Sequence, residues 1–398
     1  MKTTRPRQSP VRTRMTLRAV DEPNRAATQL ELLFDLTFVA AVASLTLPFA
    51  DRVAEGEAAS VVAPFLQVFF AIWWAWMNFT WFASSYDTDD VPYRLWTLVQ
   101  MTGVLVLAAG VPVALNENSY EAVTLGYAIM RVGLVAQWVR AGSEEPLSRS
   151  TARRYVLGIT LAQVGWLLRL WLHELGAFPE QALLAAFIFL VGVELAIPPW
   201  AERSRPTTWH PHHIAERYGL FVIILLGEAV IAASMGFNRA VQAGGVNVSL
   251  VTIAVAGLVL VFGVWWIYFL DPCGEGLAAN RDRSYLWGYG HYGLFAALAA
   301  LGAGLELAVE HAGGHVDVSA TVISAAVATP LSVFLVLVWA VNAPVRSACI
   351  SPPVLVGAAA VVVVAPTATA AVGLAVVVAT MASVCAGVIA IALVPRRR

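Results

Sequence analysis

Two carboxylates stand one helical turn apart in an apolar run: Glu31 and Asp35 in QLELLFDLTFVAAVAS, residues 29–44. At that spacing both lie on one face of a helix. Two more ionisable groups sit in equally apolar surroundings, Glu228 in LLGEAVIAAS and Arg131 in YAIMRVGLVAQW. Such carboxylates can take up a proton, hold a cation or pair with a guanidinium. Each costs roughly 2.5–3.5 kcal/mol to place in hydrocarbon, so they normally face a packed interior or a wet cavity. The expected arrangement points Asp35 and Glu228 toward a common interface, with Arg131 neutralising one of them. The other acid is then protonated through desolvation, or it holds a cation or a proton in transit. Glu31, nearer the helix end, completes the set of pathway candidates. In the competing reading these acids hydrogen-bond Ser, Thr, Trp or Gln of neighbouring helices and lock the packing.

Titratable residues also gather at helix entrances. SSYDTDDVPYR places Asp87, Asp89 and Asp90 beside Arg94. Asp87-x-Asp89 lacks the Gly and distal Glu of a calcium loop. These acids are expected to pair with Arg94, or with Arg25 or Arg281, and lipid headgroups are the other choice for Arg25. WHPHHIAERYG holds His210, His212, His213, Glu216 and Arg217, and its Pro211 suits a first helical position. Imidazole and carboxylate can ligate metals, yet the spacing matches no zinc motif, so no metal is expected. Glu216 and Arg217 are read as a polar collar at a helix entrance. Arg169, His173 and Glu194 are read as side chains snorkelling at helix ends, and Trp73, Trp74, Trp76 and Trp81 as packing or interface aromatics.

Enzyme and cofactor signatures are missing. There is no Gly-rich phosphate loop with its Lys, no Gly-x-Ser-x-Gly elbow and no His-Glu-x-x-His. No cofactor is expected. Cys273, Cys349 and Cys385 are too few and too scattered for a disulfide framework.

The elements that position these groups follow from composition. Of 398 residues, 59% are hydrophobic and 13% charged, with a mean hydropathy of +0.71. A soluble domain carries roughly twice that charged fraction. Apolar runs near 29–48, 61–83, 95–115, 120–140, 154–173 and 181–199 are followed by runs near 213–236, 249–270, 286–308, 318–341, 353–367 and 371–394. Each approaches the roughly 20 residues that cross a bilayer. The fold class is therefore all-α, a polytopic helical membrane protein with about twelve transmembrane helices. The pair meeting around Pro366-Thr367 leaves ten spans open as the alternative. A net charge of −1 gives no general affinity for nucleic acid. The basic stretch 1–28 has no apolar core or cleavage site and is read as a cytoplasmic arm. Arg149, Arg153 and Arg154, then Arg203 and Arg205, Arg281 and Arg283, Arg346, and Arg396 to Arg398 fall on the same side as that arm. Both termini are then cytoplasmic.

An internal repeat is visible as well. FFAIWWAWMNFTWFASSYDTDDVPYRLW (69–96) is similar to LVFGVWWIYFLDPCGEGLAANRDRSYLW (260–287). The same offset, about 190 residues, sets Asp35 opposite Glu228. Two parallel six-helix repeats are expected, 29–200 and 201–394, with a basic tail at 395–398.

EPNRAATQLELLFDLTFVAAV, the Trp-rich stretch from Phe69 and WHPHHIAERYGLFVIILLGEAVIAA together resemble the bacterial low-temperature-requirement A (LtrA) family. The resemblance spans residues 21 to about 310. It implies a multi-pass protein of the bacterial inner membrane, tied to growth in the cold, and brings no catalytic residues with it. Interior charge makes a secondary transporter or cation/proton pathway the leading reading. The alternatives are a non-transporting membrane protein that supports the envelope or cold growth through lipid or protein contacts, and a membrane enzyme built on the His210–Glu216 cluster. Membrane lipids and a cation or proton are the expected partners, and a homo-oligomer is compatible with the sequence.

Overall fold

Backbone amides in hydrocarbon have no water to bond, so an open chain that spans a bilayer must satisfy them within each segment as helix. The computed structural model describes residues 11–23, 25–176, 178–242, 246–270, 273–345 and 350–394. These are 84% helical, with no strand among the described residues. Residues 1–10, Arg346, Cys349 and the basic tail with Arg396 to Arg398 lie outside them.

The helices are α1 (Gln29–Ala54), α2 (Ala58–Tyr86), α3 (Val91–Glu117), α4 (Glu121–Glu144), α5 (Arg149–Glu174), α6 (Glu180–Glu202) and α7 (Pro211–Gln242). They continue as α8 (Val248–Phe269), the short α9 (Gly274–Ala279), α10 (Ser284–Ala312), α11 (Ala320–Asn342), α12 (Pro352–Val364), α13 (Thr369–Val372) and α14 (Leu374–Leu393). Twelve stretches are long and apolar enough to cross a membrane. The eleventh, Pro352–Val372, runs through α12 and α13 with a 3-10 turn at Ala365–Ala368 between them. The chain then reverses at Gly373, whose φ of 87° suits a residue without a side chain. The irregularity at Pro366 therefore lies inside a span, and the turn comes seven residues later. Apolar side chains such as Leu161, Phe189 and Val255 are exposed, the surface that a lipid environment requires.

Contacts divide the chain into two compact units, Met1–Ala41 with Ala71–Ile214, and Val42–Phe70 with Ala215–Arg398. In the first, α3 packs on α4, α4 on α5 and α5 on α6. The α3/α4 pair is closest. A Cβ on Gly126 would stand 2.3 Å from Leu107 N, and one on Gly103 2.6 Å from Gly126 O, so only glycine lets these backbones meet. Gln137 bridges the same pair, accepting from Gln100 Nε2 at 2.9 Å and donating to Thr97 Oγ1 at 3.1 Å. Residues 11–28 are docked on this unit. Met15 is fully buried, Arg18 N donates to Ser85 O at 3.0 Å, and Thr13 N donates to Asp90 at 2.8 Å.

In the second unit α10 is the central helix, and α8 and α11 pack against it. A parallel seam joins it to α7. Cβ atoms built on Gly302, Gly236 and Gly313 would meet Ala229, Val309 and Ala240 respectively, the same register three times over. Spacings of seven and four residues are those of helices crossing at a shallow angle.

Candidate functional site

The first unit holds two polar centres. At membrane depth, Glu194 of α6 accepts from Trp74 Nε1 at 2.9 Å, Tyr127 Oη at 2.8 Å and Trp166 Nε1 at 3.2 Å. Arg131 Nη2 completes the set at 3.0 Å and also bonds Tyr127. Both charged side chains are buried. The counter-charge of Arg131 is thus Glu194, not the Asp35 or Glu228 for which the sequence offered it. Glu194 does not snorkel: it ties α6 to α2, α4 and α5. Asp35 accepts from Trp76 Nε1 at 2.7 Å.

The other centre lies where α1 begins. Thr28 and Glu31 form a capping box: Glu31 N donates to Thr28 Oγ1 at 3.3 Å, and Thr28 N to Glu31 Oε2 at 2.7 Å. Glu31 is buried with Arg25 Nη2 at 3.3 Å and His213 Nε2 at 3.0 Å. Asp87 lies 3.7 Å from Arg25 and 3.8 Å from Arg18. Burial, reinforced by the charge of Glu31, pushes its carboxyl up to about 7 against the pull of Arg25 and Arg18. Arg25 is buried, which removes lipid headgroups as its contact. Asp89 pairs with Arg94 at 2.8 Å on the surface. Asp90 caps α3 by accepting from Tyr93 N and pairs with Arg140 at 2.6 Å. Hydrogen bonds from Arg140, Thr13 and Tyr93 outweigh its desolvation and hold it down at about 2.

The histidines do not converge. His213 faces Glu31, while His210 accepts from His213 N at 3.3 Å and is held below its ordinary value, mainly by burial. His212 and Glu216 are exposed. Among the described residues no three His, Cys, Asp or Glu side chains could hold a metal ion. Arg217 is fully buried beside the exposed Glu216, so the two do not form a collar of like exposure. Arg281 opens the 3-10 turn that leads into α10.

The second unit brings Glu228 into company that sequence reading missed. On α10, Glu306 and Glu310 are buried one turn apart. Arg239 of α7 pairs directly with Glu310 and lies 3.7 Å from Glu306. The charges of Asp51 on α1, Glu228, Glu310 and Arg239 all act on Glu306. No hydrogen bond or ion pair engages Glu228 among the described residues. Glu306, Glu310 and Asp51 therefore share the guanidinium of Arg239, and Glu228 acts on Glu306. A cavity of about 370 Å³ between α7, α8 and α10 runs beside them, lined by Ala229, Ser234, Asn238 and Leu305 among others. The visible signal was the spacing of Glu306 and Glu310, the same one turn that separates Glu31 from Asp35. It was hidden because Glu310 falls just beyond the apolar run near 286–308, where the sequence suggests a loop.

Comparison with known proteins gives a consistent match. The family described as Bacterial low temperature requirement A protein (LtrA) matches residues 26–394, including the last helices, whose sequence is distinctive only in being apolar. An uncharacterized protein of Rhizobium meliloti (strain 1021) is 28% identical over 302 residues, which cover 71% of this chain and 69% of that protein. No solved structure matches.

Proposed function

We propose that this protein, which belongs to the bacterial low temperature requirement A (LtrA) family, is a secondary transporter or passive pathway for a proton or small cation. It would lie in the bacterial inner membrane with both termini cytoplasmic. The observation that carries the reading is the excess of acid in the second unit. Glu306, Glu310 and Asp51 act on the guanidinium of Arg239, and the charge of Glu228 adds to theirs at Glu306. Like charges one turn apart repel, and repulsion grows as the surrounding dielectric falls. The cluster is stable only when protons or cations make up the difference. Intramembrane acids in this state mark ion and proton routes.

The carboxyls of the first unit support a different role. Glu194 is engaged by Trp74, Tyr127, Trp166 and Arg131, and Glu31 by its cap, Arg25 and His213. Such groups fasten helices together. Asp35 remains a pathway candidate on its sequence alignment with Glu228.

The test is reconstitution of the full chain into liposomes, with proton, potassium and sodium gradients imposed one at a time. The expected result is a flux of at least one of these ions that falls to the protein-free level in Glu228→Gln. An absence of flux under every gradient returns the protein to a structural role in the envelope.

A further inference from the structure

The acids of the second unit are strung along the membrane rather than gathered around a point. Glu310 and Glu306 are one turn apart on α10. The register of the seam, Ala229 against Gly302, then sets Glu228 about 7 Å farther along the axis from Glu306 at 1.5 Å per residue. A metal or alkali cation needs several oxygens around one centre, at about 2.3–2.6 Å for calcium. No three of these carboxyls provide that among the described residues. A proton needs only one oxygen at a time, and steps of this length are bridged by a water.

Glu306 has a particular place in the row. With Gly302, Val309 and Gly313 it falls on the stripe of α10 that faces α7, and a Cβ built on Gly236 of that seam would also meet Glu310. Its side chain is 3% exposed. Oε1 looks toward Arg239 at 3.7 Å, while Oε2 is buried and has no hydrogen-bond partner. An ionised carboxylate would leave charge on such an oxygen uncompensated, and a neutral carboxylic acid costs far less to bury there. Arg239 meanwhile pairs directly with Glu310. The groups facing Glu306 are Arg239 and Glu228 from α7, Asp51 from α1 and Glu310 from α10 itself. Of the other helices packed on α10, α11 has no titratable residue, and Tyr268 of α8 meets His291 at the opposite end.

We propose that the species held at this site is a proton, that it resides on Oε2 of Glu306, and that Glu310, Glu306 and Glu228 hand it along the α7/α10 seam. The inference rests on the pathway reading above and narrows it to one ion. A proton enters at the end where Arg239 is 45% exposed. It neutralises Glu306 while Arg239 stays with Glu310. When the proton passes to Glu228, Glu306 becomes a carboxylate and Arg239 turns to it. Each transfer breaks one O–H bond and forms another.

The experiment uses the full chain in lipid bilayers and reads the C=O stretch of a protonated carboxyl by infrared difference spectroscopy, with deuterium exchange to identify it. The wild-type protein is expected to show such a band at neutral pH. Glu306→Gln loses it, Glu310→Gln keeps it, and Glu306→Asp keeps it at a shifted frequency, which controls for folding. In liposomes the proton flux is expected to be lost in Glu306→Gln. A band that keeps its full intensity in Glu306→Gln overturns the proposal, whereas a residual component from Asp87, whose carboxyl is raised to about 7, does not. So does a potassium or sodium flux indifferent to that substitution, which would leave a cation pathway standing without its proton. Loss of the band with no flux of any ion keeps Glu306 as the proton's residence and removes the transport reading instead.

Discussion

Glu194 collects four donors, Glu31 closes a capping box, and Glu306 keeps one buried oxygen without a hydrogen-bond partner. The same side-chain chemistry thus serves as rivet and cap, and in the proposal above as proton site, with the environment making the difference. For Glu194 the consequence is measurable. Removing one member of a buried pair strands the other charge, at a cost of about 3–5 kcal/mol, whereas replacing both with apolar residues of similar size is often neutral. Arg131→Met and Glu194→Leu are each expected to lower thermal stability in detergent strongly, and the double substitution to recover most of the loss. If the double variant is as unstable as the sum of the singles, Arg131 and Glu194 are not held chiefly by each other. Partner choice at this scale was not legible in the sequence. Arg131 and Glu194 are 63 positions apart, and nothing local marks one as the complement of the other. The capping box was legible, since Thr28-x-x-Glu31 is a helix-start pattern.

A segment and two helix pairs carry the rest. Residues 11–28 belong to the stretch that reads as a basic arm in the sequence, and they are strapped across the ends of α2, α3 and α4. Arg12 and Met15 bond the Glu144 carboxylate at 2.8 and 2.6 Å, and Arg140 bonds Thr13 O at 2.6 Å. Asp90 anchors the strap from α3. Because its folded value lies below the ordinary 3.8, its contribution is fully present above that value and is lost as pH falls toward about 2. A spin probe at position 11 is expected to gain mobility across that window, and Asp90→Asn to be mobile already at neutral pH. Equal mobility in both proteins would show that Asp90 does not hold the strap. The close pairs are easier to foresee in kind than in detail. Glycines at Gly103 and Gly126 suggest helix contact, but only coordinates show α3 against α4, or Gly302 of α10 against Ala229 of α7.

Across the whole molecule, twelve candidate spans are an even number, so an arm and a tail on the same side of the bilayer are expected. Arginine-rich loops on that side point to the cytoplasm. Reporter domains fused to each terminus should both read a cytoplasmic environment, and opposite readings would require an odd number of crossings. The third and fourth spans, α3 and α4, pack on each other in the first unit, as the ninth and tenth, α10 and α11, do in the second. The aligned aromatics have diverged in use: Trp73 and Trp74 are buried, whereas Trp265 and Trp266 are each 45% exposed.

Sequence alone determined the solvent, the helical class, the approximate span count and the family, because each depends on sums over long stretches of chain. It also marked Glu31, Asp35, Arg131 and Glu228 as costly residues that must be accounted for. Which of them are fastened, and to what, was decided only by tertiary structure. In lipid both faces of a helix are apolar, so periodicity says little about which side meets a neighbour. The partners of a buried charge come from helices distant in the chain, and only their packing put Glu194 beside Arg131 and Glu306 beside Arg239.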